Sequence, residues 1–170
     1  MPLLTGYGGS LSVRNLSSGW VDYADGTYTS GSPLAISGNT DTKLPNDGAT
    51  VRSDYLPAGI ANFYDSGTGK VLGNTGRSML FTLDFKCTPT NAGTTYIEDW
   101  IDIGSPVGEI YRRISSFPKG NGVERSIVHS TAMYTLDTWE TNGGDVYVRA
   151  NGTADIYDIR FVFFLLSEPA

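Results

Sequence analysis

From Asp155 to Leu166 the chain reads DIYDIRFVFFLL, and the interpretation of this stretch decides the fold. It is rich in aromatic and β-branched residues and is closely followed by Pro169, a poor composition for a surface helix. At period two, Tyr157, Ile159, Phe161, Phe163 and Leu165 share one face, and all are apolar. That face belongs in a core. The other face carries Ile156, Asp158, Arg160, Val162, Phe164 and Leu166, beginning partly polar and ending apolar. Such a strand fits the middle of a sheet whose second face is also covered. We take it as the centre of a β-sandwich whose second apolar surface is an oligomer interface. The alternative is cover supplied wholly by the same chain.

Working outward, the segment Asp145–Arg149 precedes this strand across Ala150-Asn151-Gly152-Thr153-Ala154. An Asn-Gly pair between two alternating runs predicts a hairpin. Residues 79–87 alternate most clearly: Met79, Phe81, Leu83, Phe85 and Cys87 face in, while Thr82, Asp84 and Lys86 face out. A turn over Thr88–Gly93 follows. Tyr96–Ile103 alternates again, with Trp100 breaking its polar side, and Glu109–Phe117 and Ser126–Leu136 read as further strands. Asp137–Gly144 reads as a connection. Trp20–Tyr23 and Pro33–Ser37 are short strands nearer the start. Eight to ten short strands with turn signals between them predict an antiparallel sandwich over residues 21–170, preceded by an irregular arm over residues 1–20.

The 170 residues are enough for one domain with a real core. The 21 glycines suit many tight turns. A net charge of -6, with no basic cluster beyond Arg112-Arg113, argues against a nucleic-acid partner. The single cysteine, Cys87, excludes an intrachain disulfide and reads as a buried, inert thiol. MPLLTGYGGS lacks the charge and apolar run of a signal peptide, and no apolar run reaches membrane-spanning length. The expectation is a soluble chain made in a cytoplasm, with no membrane partner.

Three pieces carry a family resemblance: the Leu44-Pro45-Asn46-Asp47-Gly48 turn, the long strand 79–87 before its Thr/Asn/Gly turn, and the closing pair Val146–Arg149 and Ile156–Leu166. In this order they resemble small tailed-bacteriophage virion proteins with a tumour-necrosis-factor-like jelly roll. Family members serve as head decoration (cement) proteins, head fibres or tail-fibre tips. The resemblance runs from about residue 20 onward and implies a homotrimer with inner sheets packed around a threefold axis.

Chemistry has few candidates. A serine hydrolase needs a nucleophile, a histidine and an orienting acid, but His129 is the only histidine and no G-x-S-x-G turn exists. It shares a strand face with Ile127 and Met133 and reads as structural. Glu98, Asp99 and Asp102 lie close together, as a glycosidase pair would, yet Asp99 points away from the other two on a strand. Asp22, Asp25, Asn46, Asp47 and Asp65 offer oxygen ligands without EF-hand spacing; Asp and Asn at turns usually cap their own backbone. Gly67-Thr68-Gly69-Lys70 lacks the glycine and hydroxyl of a phosphate loop. Tyr7, Trp20, Tyr23, Tyr28 and Tyr64 suit either a core or an interface.

The expected function is therefore non-enzymatic, with no cofactor and no metal. The chain is read as a homotrimeric capsid decoration protein on the outer surface of a phage head, with the major capsid protein as partner. Ile156, Val162, Phe164 and Leu166 are the expected trimer-axis residues. Leu3, Leu4 and Tyr7 are the expected contacts with the capsid or a neighbour. The alternative is a receptor-binding or tail-fibre-tip module that recognises a cell-surface glycan.

Overall fold

The structure, a computed structural model, describes residues 18–57 and 59–168. Among these residues twelve strands and one short helix run in the order β1 (Trp20–Ala24), β2 (Leu34–Ile36), β3 (Thr42–Lys43), β4 (Thr50–Arg52), β5 (Tyr64–Asp65), β6 (Lys70–Val71), β7 (Ser78–Pro89), β8 (Tyr96–Asp102), β9 (Glu109–Ser116), β10 (Arg125–Tyr134), α1 (Asp137–Asn142), β11 (Asp145–Ala150) and β12 (Ala154–Ser167). A six-stranded sheet has the order β10-β7-β12-β1-β4, with β2 also on β12. A four-stranded sheet has the order β3-β11-β8-β9, and β5 and β6 form a separate ribbon. The strand pairs are antiparallel, and the two main sheets close over one apolar core.

The sequence places β12 at the centre of the larger sheet, and there it lies, between β7 and β1. Its inward Phe161 and Phe163 meet Phe81 of β7 with ring centroids 5.6 and 4.8 Å apart, and Phe63 stacks on Phe163 at 5.7 Å. Such aromatic pairs add directional attraction to the burial of large rings. Cys87 is buried on the same inner face, and burial pushes its thiol up to about 12.

Two expectations fail, for reasons that lie in the backbone. The first is Ile156, expected at a trimer axis but 0% exposed inside its own chain. Between Tyr157 and Arg160 the register with β7 slips, and Asp158 sits at φ +54. A bulge puts two residues opposite one, so the in-out alternation changes phase across it. Before the bulge Ile156 faces in, beside Cys87; after it Ile159, Phe161 and Phe163 do. Tyr157, expected on the core face, is buried but on the opposite face, where its hydroxyl lies 3.1 Å from Thr88 Oγ1 and donates to Glu124 Oε2 at 2.7 Å.

The second is the closing hairpin. β11 pairs with β8 and β3, and β12 pairs with β7, β1 and β2, so the two segments lie in different sheets. A type I′ hairpin turn requires positive φ at both central residues, and neither Asn151 nor Gly152 has it. The pair instead crosses between sheets while locked onto the β7–β8 turn. Asn151 Oδ1 accepts from the Thr95 and Tyr96 amides at 2.8 and 3.2 Å. A Cβ at Gly152 would lie 2.2 Å from Thr94 Oγ1, so glycine is there for close approach. Smaller differences are that β7 runs on through Thr88 and Pro89, and that residues 137–142 form α1, which buries Trp139.

Candidate functional site

Beyond the bulge, the outward face of the larger sheet carries an apolar row that crosses its strands. Register places Ala132 of β10 beside Leu80 of β7, Leu80 beside Phe164 of β12, and Phe164 beside Trp20 of β1. Tyr55 extends the row by stacking on Trp20, with centroids 5.1 Å apart. Phe164 is 38% and Leu166 51% exposed, and Val162 is half-buried in the next row. Three of the four expected axis residues thus share one face: Val162, Phe164 and Leu166. Trp20, Leu80 and Tyr55 were not assigned to it from sequence, because cross-strand register is set by tertiary pairing. Leu3, Leu4 and Tyr7 lie outside the described residues.

Farther along the same face the surface becomes polar. Arg160 forks onto both Asp22 oxygens, 3.3 Å from Oδ1 to Nε, and Asp22 is itself buried. The Asp22 hydrogen bond raises the Arg160 guanidinium above its usual value. One sheet surface therefore changes from a charged end to an apolar end at Val162, which defines an edge for any partner. A groove of about 440 Å³ lies at the apolar end, lined by Ser18, Trp20, Tyr55, Leu56 and Phe164.

A second constellation bridges the two sheets where their edge strands β9 and β10 run side by side. Asp99 of β8 points into the sandwich and is 1% exposed. Its Oδ1 meets His129 Nδ1, and its Oδ2 accepts from Arg113, with Nε at 2.8 Å. His129 Nε2 lies 2.9 Å from Ser115 Oγ, and Arg113 Nη1 donates to Thr131 Oγ1 at 2.6 Å. A carboxylate only accepts, so Nδ1 carries the proton, and Nε2 shares the second hydrogen bond with the Ser115 hydroxyl. The sequence showed the lone histidine but not its partners, Asp99 of β8 and Ser115 of β9.

The order Ser-His-Asp matches the hydrogen-bond order of an acyl-transfer triad. Two features set it apart. Asp99 is already neutralised by Arg113, so little of its charge is left to stabilise an imidazolium. Ser115 lies within a regular strand, paired with Ile97, not on an exposed turn. The arrangement satisfies a buried carboxylate and ties two sheet edges together.

The remaining carboxylate candidates are engaged. Glu98 pairs with Arg112, whose guanidinium also covers Trp100 at 4.1 Å, and Asp102 caps the Gly104 amide at 2.7 Å. Asp25 accepts from the Tyr28 and Asp47 amides and Asp47 from the Ala49 and Gly26 amides, so each carboxylate caps its own loop and ties it to the other. The Thr68 hydroxyl, then the Gly67 amide, hold the Asp65 carboxyl below its usual range. Among the described residues no group of three or more His, Cys, Asp or Glu side chains is arranged to hold a metal.

A third feature is a concavity of about 290 Å³ between the start of β9, the end of β10 and α1. On its wall stands Tyr111, at φ +55. The β8–β9 register shifts between Asp99 and Ile101, so Tyr111 occupies a bulge. The left-handed region costs a bulky residue about 1–2 kcal/mol, and glycine is the usual occupant of such a bulge. Burial pushes the Tyr111 hydroxyl up, while a hydrogen bond with the Tyr134 backbone acts the other way.

No protein-family model matches the chain, and no curated protein matches it in sequence. Among solved structures, the Eiger TNF from S. frugiperda superposes with a TM-score of 0.52 at 13% identity, covering 89% of this chain and 96% of that one. The VP2 subviral particle of infectious bursal disease virus gives 0.39 at 10% identity, over 96% of this chain and 37% of that one. The Tobacco streak virus coat protein gives 0.34 at 11% identity, over 95% and 94%. The two viral scores are too low to bear on the assignment. The first, with the sheet orders above, establishes an all-β, antiparallel jelly-roll sandwich of the TNF-like kind.

Proposed function

We propose that this chain is a non-enzymatic structural protein of a phage virion, a homotrimer that decorates the outer surface of the head and stabilises it. One observation carries the reading: a central strand apolar on its inner face, whose outward side beyond the bulge presents Val162, Phe164 and Leu166, with Phe164 in a row with Trp20 and Tyr55. Aromatic residues grouped on one flat surface and bounded by an ion pair are the composition of an interface centre and its rim. Three copies related by a threefold axis would bury that row three times over. The apolar residues Leu3, Leu4 and Tyr7 are assigned to contact with the capsid or a neighbouring subunit. The mechanism is passive: a ligand that binds only the assembled shell stabilises it by mass action.

Two measurements test this. Sedimentation equilibrium of the full chain at micromolar concentration should give the trimer mass, and a monomer there would overturn the assembly. Added protein should raise the melting temperature of parent heads stripped of it; no shift would overturn the decoration role. A fluorophosphonate probe tests the non-enzymatic assignment: Ser115 should stay unlabelled, and stoichiometric labelling abolished by His129→Gln would overturn it.

A further inference from the structure

We propose that the concavity between β9, β10 and α1 binds a small organic cation, a quaternary or tertiary ammonium head group. Its wall includes Ile110, Tyr111, Tyr134, Leu136, Asp137 and Trp139. At about 290 Å³ it suits a compact head group rather than an extended ligand.

Charge selects the ligand class. Among the described residues Asp137 is the only charged one on the wall. One of its oxygens accepts from the Thr138 amide at 3.0 Å, and none of the ion pairs among the described residues uses it. An anion is repelled by this arrangement, and a neutral hydrocarbon makes no use of the acid. A sugar needs several convergent hydrogen-bonding groups, but the polar end of the indole is already engaged. Trp139 Nε1 donates to the Val71 carbonyl at 3.1 Å. What remains is the surface of Tyr111 and Tyr134, backed by the buried Trp139, with apolar surface and one carboxylate. Ring faces attract cations through their quadrupole, and a methylated ammonium asks for no hydrogen bonds.

Two further observations mark the place as more than a packing defect. Tyr134 is 63% exposed, and Leu136 beside it is exposed as well. Large apolar groups are thus left open around the mouth. Tyr111 is held in a backbone conformation that glycine would adopt freely, at a bulge that aims its side chain toward this wall. Strained side-chain placement of this kind is found at ligand sites more often than elsewhere.

The test is an NMR titration of the ¹⁵N-labelled full chain with choline and, separately, with its neutral isostere 3,3-dimethylbutan-1-ol. Choline should shift the amides of Tyr111 and Tyr134 and the Trp139 indole, saturating in the millimolar range, with the isostere at least about tenfold weaker. Asp137→Asn should weaken choline about tenfold without moving the melting temperature, and Tyr134→Ala should abolish saturation. No saturable shift up to about 100 mM choline overturns the site. Equal binding of choline and its isostere overturns the cation assignment, as does an Asp137→Asn protein that binds choline unchanged.

Discussion

Phe163 and Phe164 are neighbours in sequence and opposites in space, so exchanging one or the other separates folding from assembly. Phe163 is fully buried between Phe81 and Phe63, and Phe163→Ala removes those contacts and leaves a cavity. It should cost about 3–5 kcal/mol of unfolding free energy. Phe164 touches Trp20 at a centroid distance of 6.5 Å on an open sheet face. Phe164→Thr replaces one good strand former with another, so the loss should be about 1 kcal/mol, the scale of one cross-strand pair. Assembly should respond the other way. A phenylalanine side chain offers about 200 Å², and 38% of it is still exposed in the single chain. Burying that remainder is worth about 2 kcal/mol per protomer at about 25 cal/mol per Å². Three protomers lose about 6 kcal/mol together, about four powers of ten in a trimer constant. Because that constant scales with the square of concentration, the midpoint of dissociation should rise about a hundredfold. Urea unfolding read by tryptophan fluorescence gives the first quantity, and sedimentation equilibrium across a dilution series gives the second. If Phe164→Thr dissociates at the wild-type midpoint, or unfolds as readily as Phe163→Ala, the assignment of this face is refuted.

Asp99→Ala should destabilise the protein by about 3–5 kcal/mol, because it leaves the Arg113 guanidinium part-buried without its partner; Ser115→Ala should cost about 1 kcal/mol, and urea midpoints showing the reverse order would contradict the clasp. Gly152→Ala should cost about 1–3 kcal/mol by overpacking, since its Cβ would meet Thr94 Oγ1 at 2.2 Å, and a melting temperature unchanged by it would disprove the close crossing. Burial pushes Cys87 and Tyr64 each up to about 12, so the folded state keeps protons that the unfolded chain releases. Stability should therefore be full below the unfolded thiol value of 9.0 and fall as pH rises from there, by about 1.4 kcal/mol per pH unit for each group. Urea midpoints between pH 8 and pH 11 measure this, and Cys87→Ala should flatten the first part of the decline.

Period-two alternation was enough to locate β7, β8 and β12 and to put β12 at the centre, because burial on one face imposes that pattern whatever the partner strand is. The same rule identified Cys87 as buried and placed Val162, Phe164 and Leu166 together. It misassigned Ile156 and Tyr157, because a bulge at Asp158 reverses the phase and leaves no mark in residue type: aspartate in a left-handed conformation reads like aspartate anywhere. The Asn151-Gly152 signal was genuine as a change of direction. Whether it closes a hairpin or crosses between sheets depends on what the next strand pairs with, and here long-range pairing of β12 with β7 prevails.

The sites follow the same division. Residue types alone showed one histidine, one cysteine and carboxylates at turns. The convergence of Asp99, Arg113, Ser115 and Thr131 on one another and on His129 arises because β8, β9 and β10 bring their inward faces to a common edge. The row from Ala132 through Leu80 and Phe164 to Trp20 likewise draws on four strands far apart in sequence. Local pattern determines which way a side chain points within its own strand; only the pairing of strands determines which other side chains it meets.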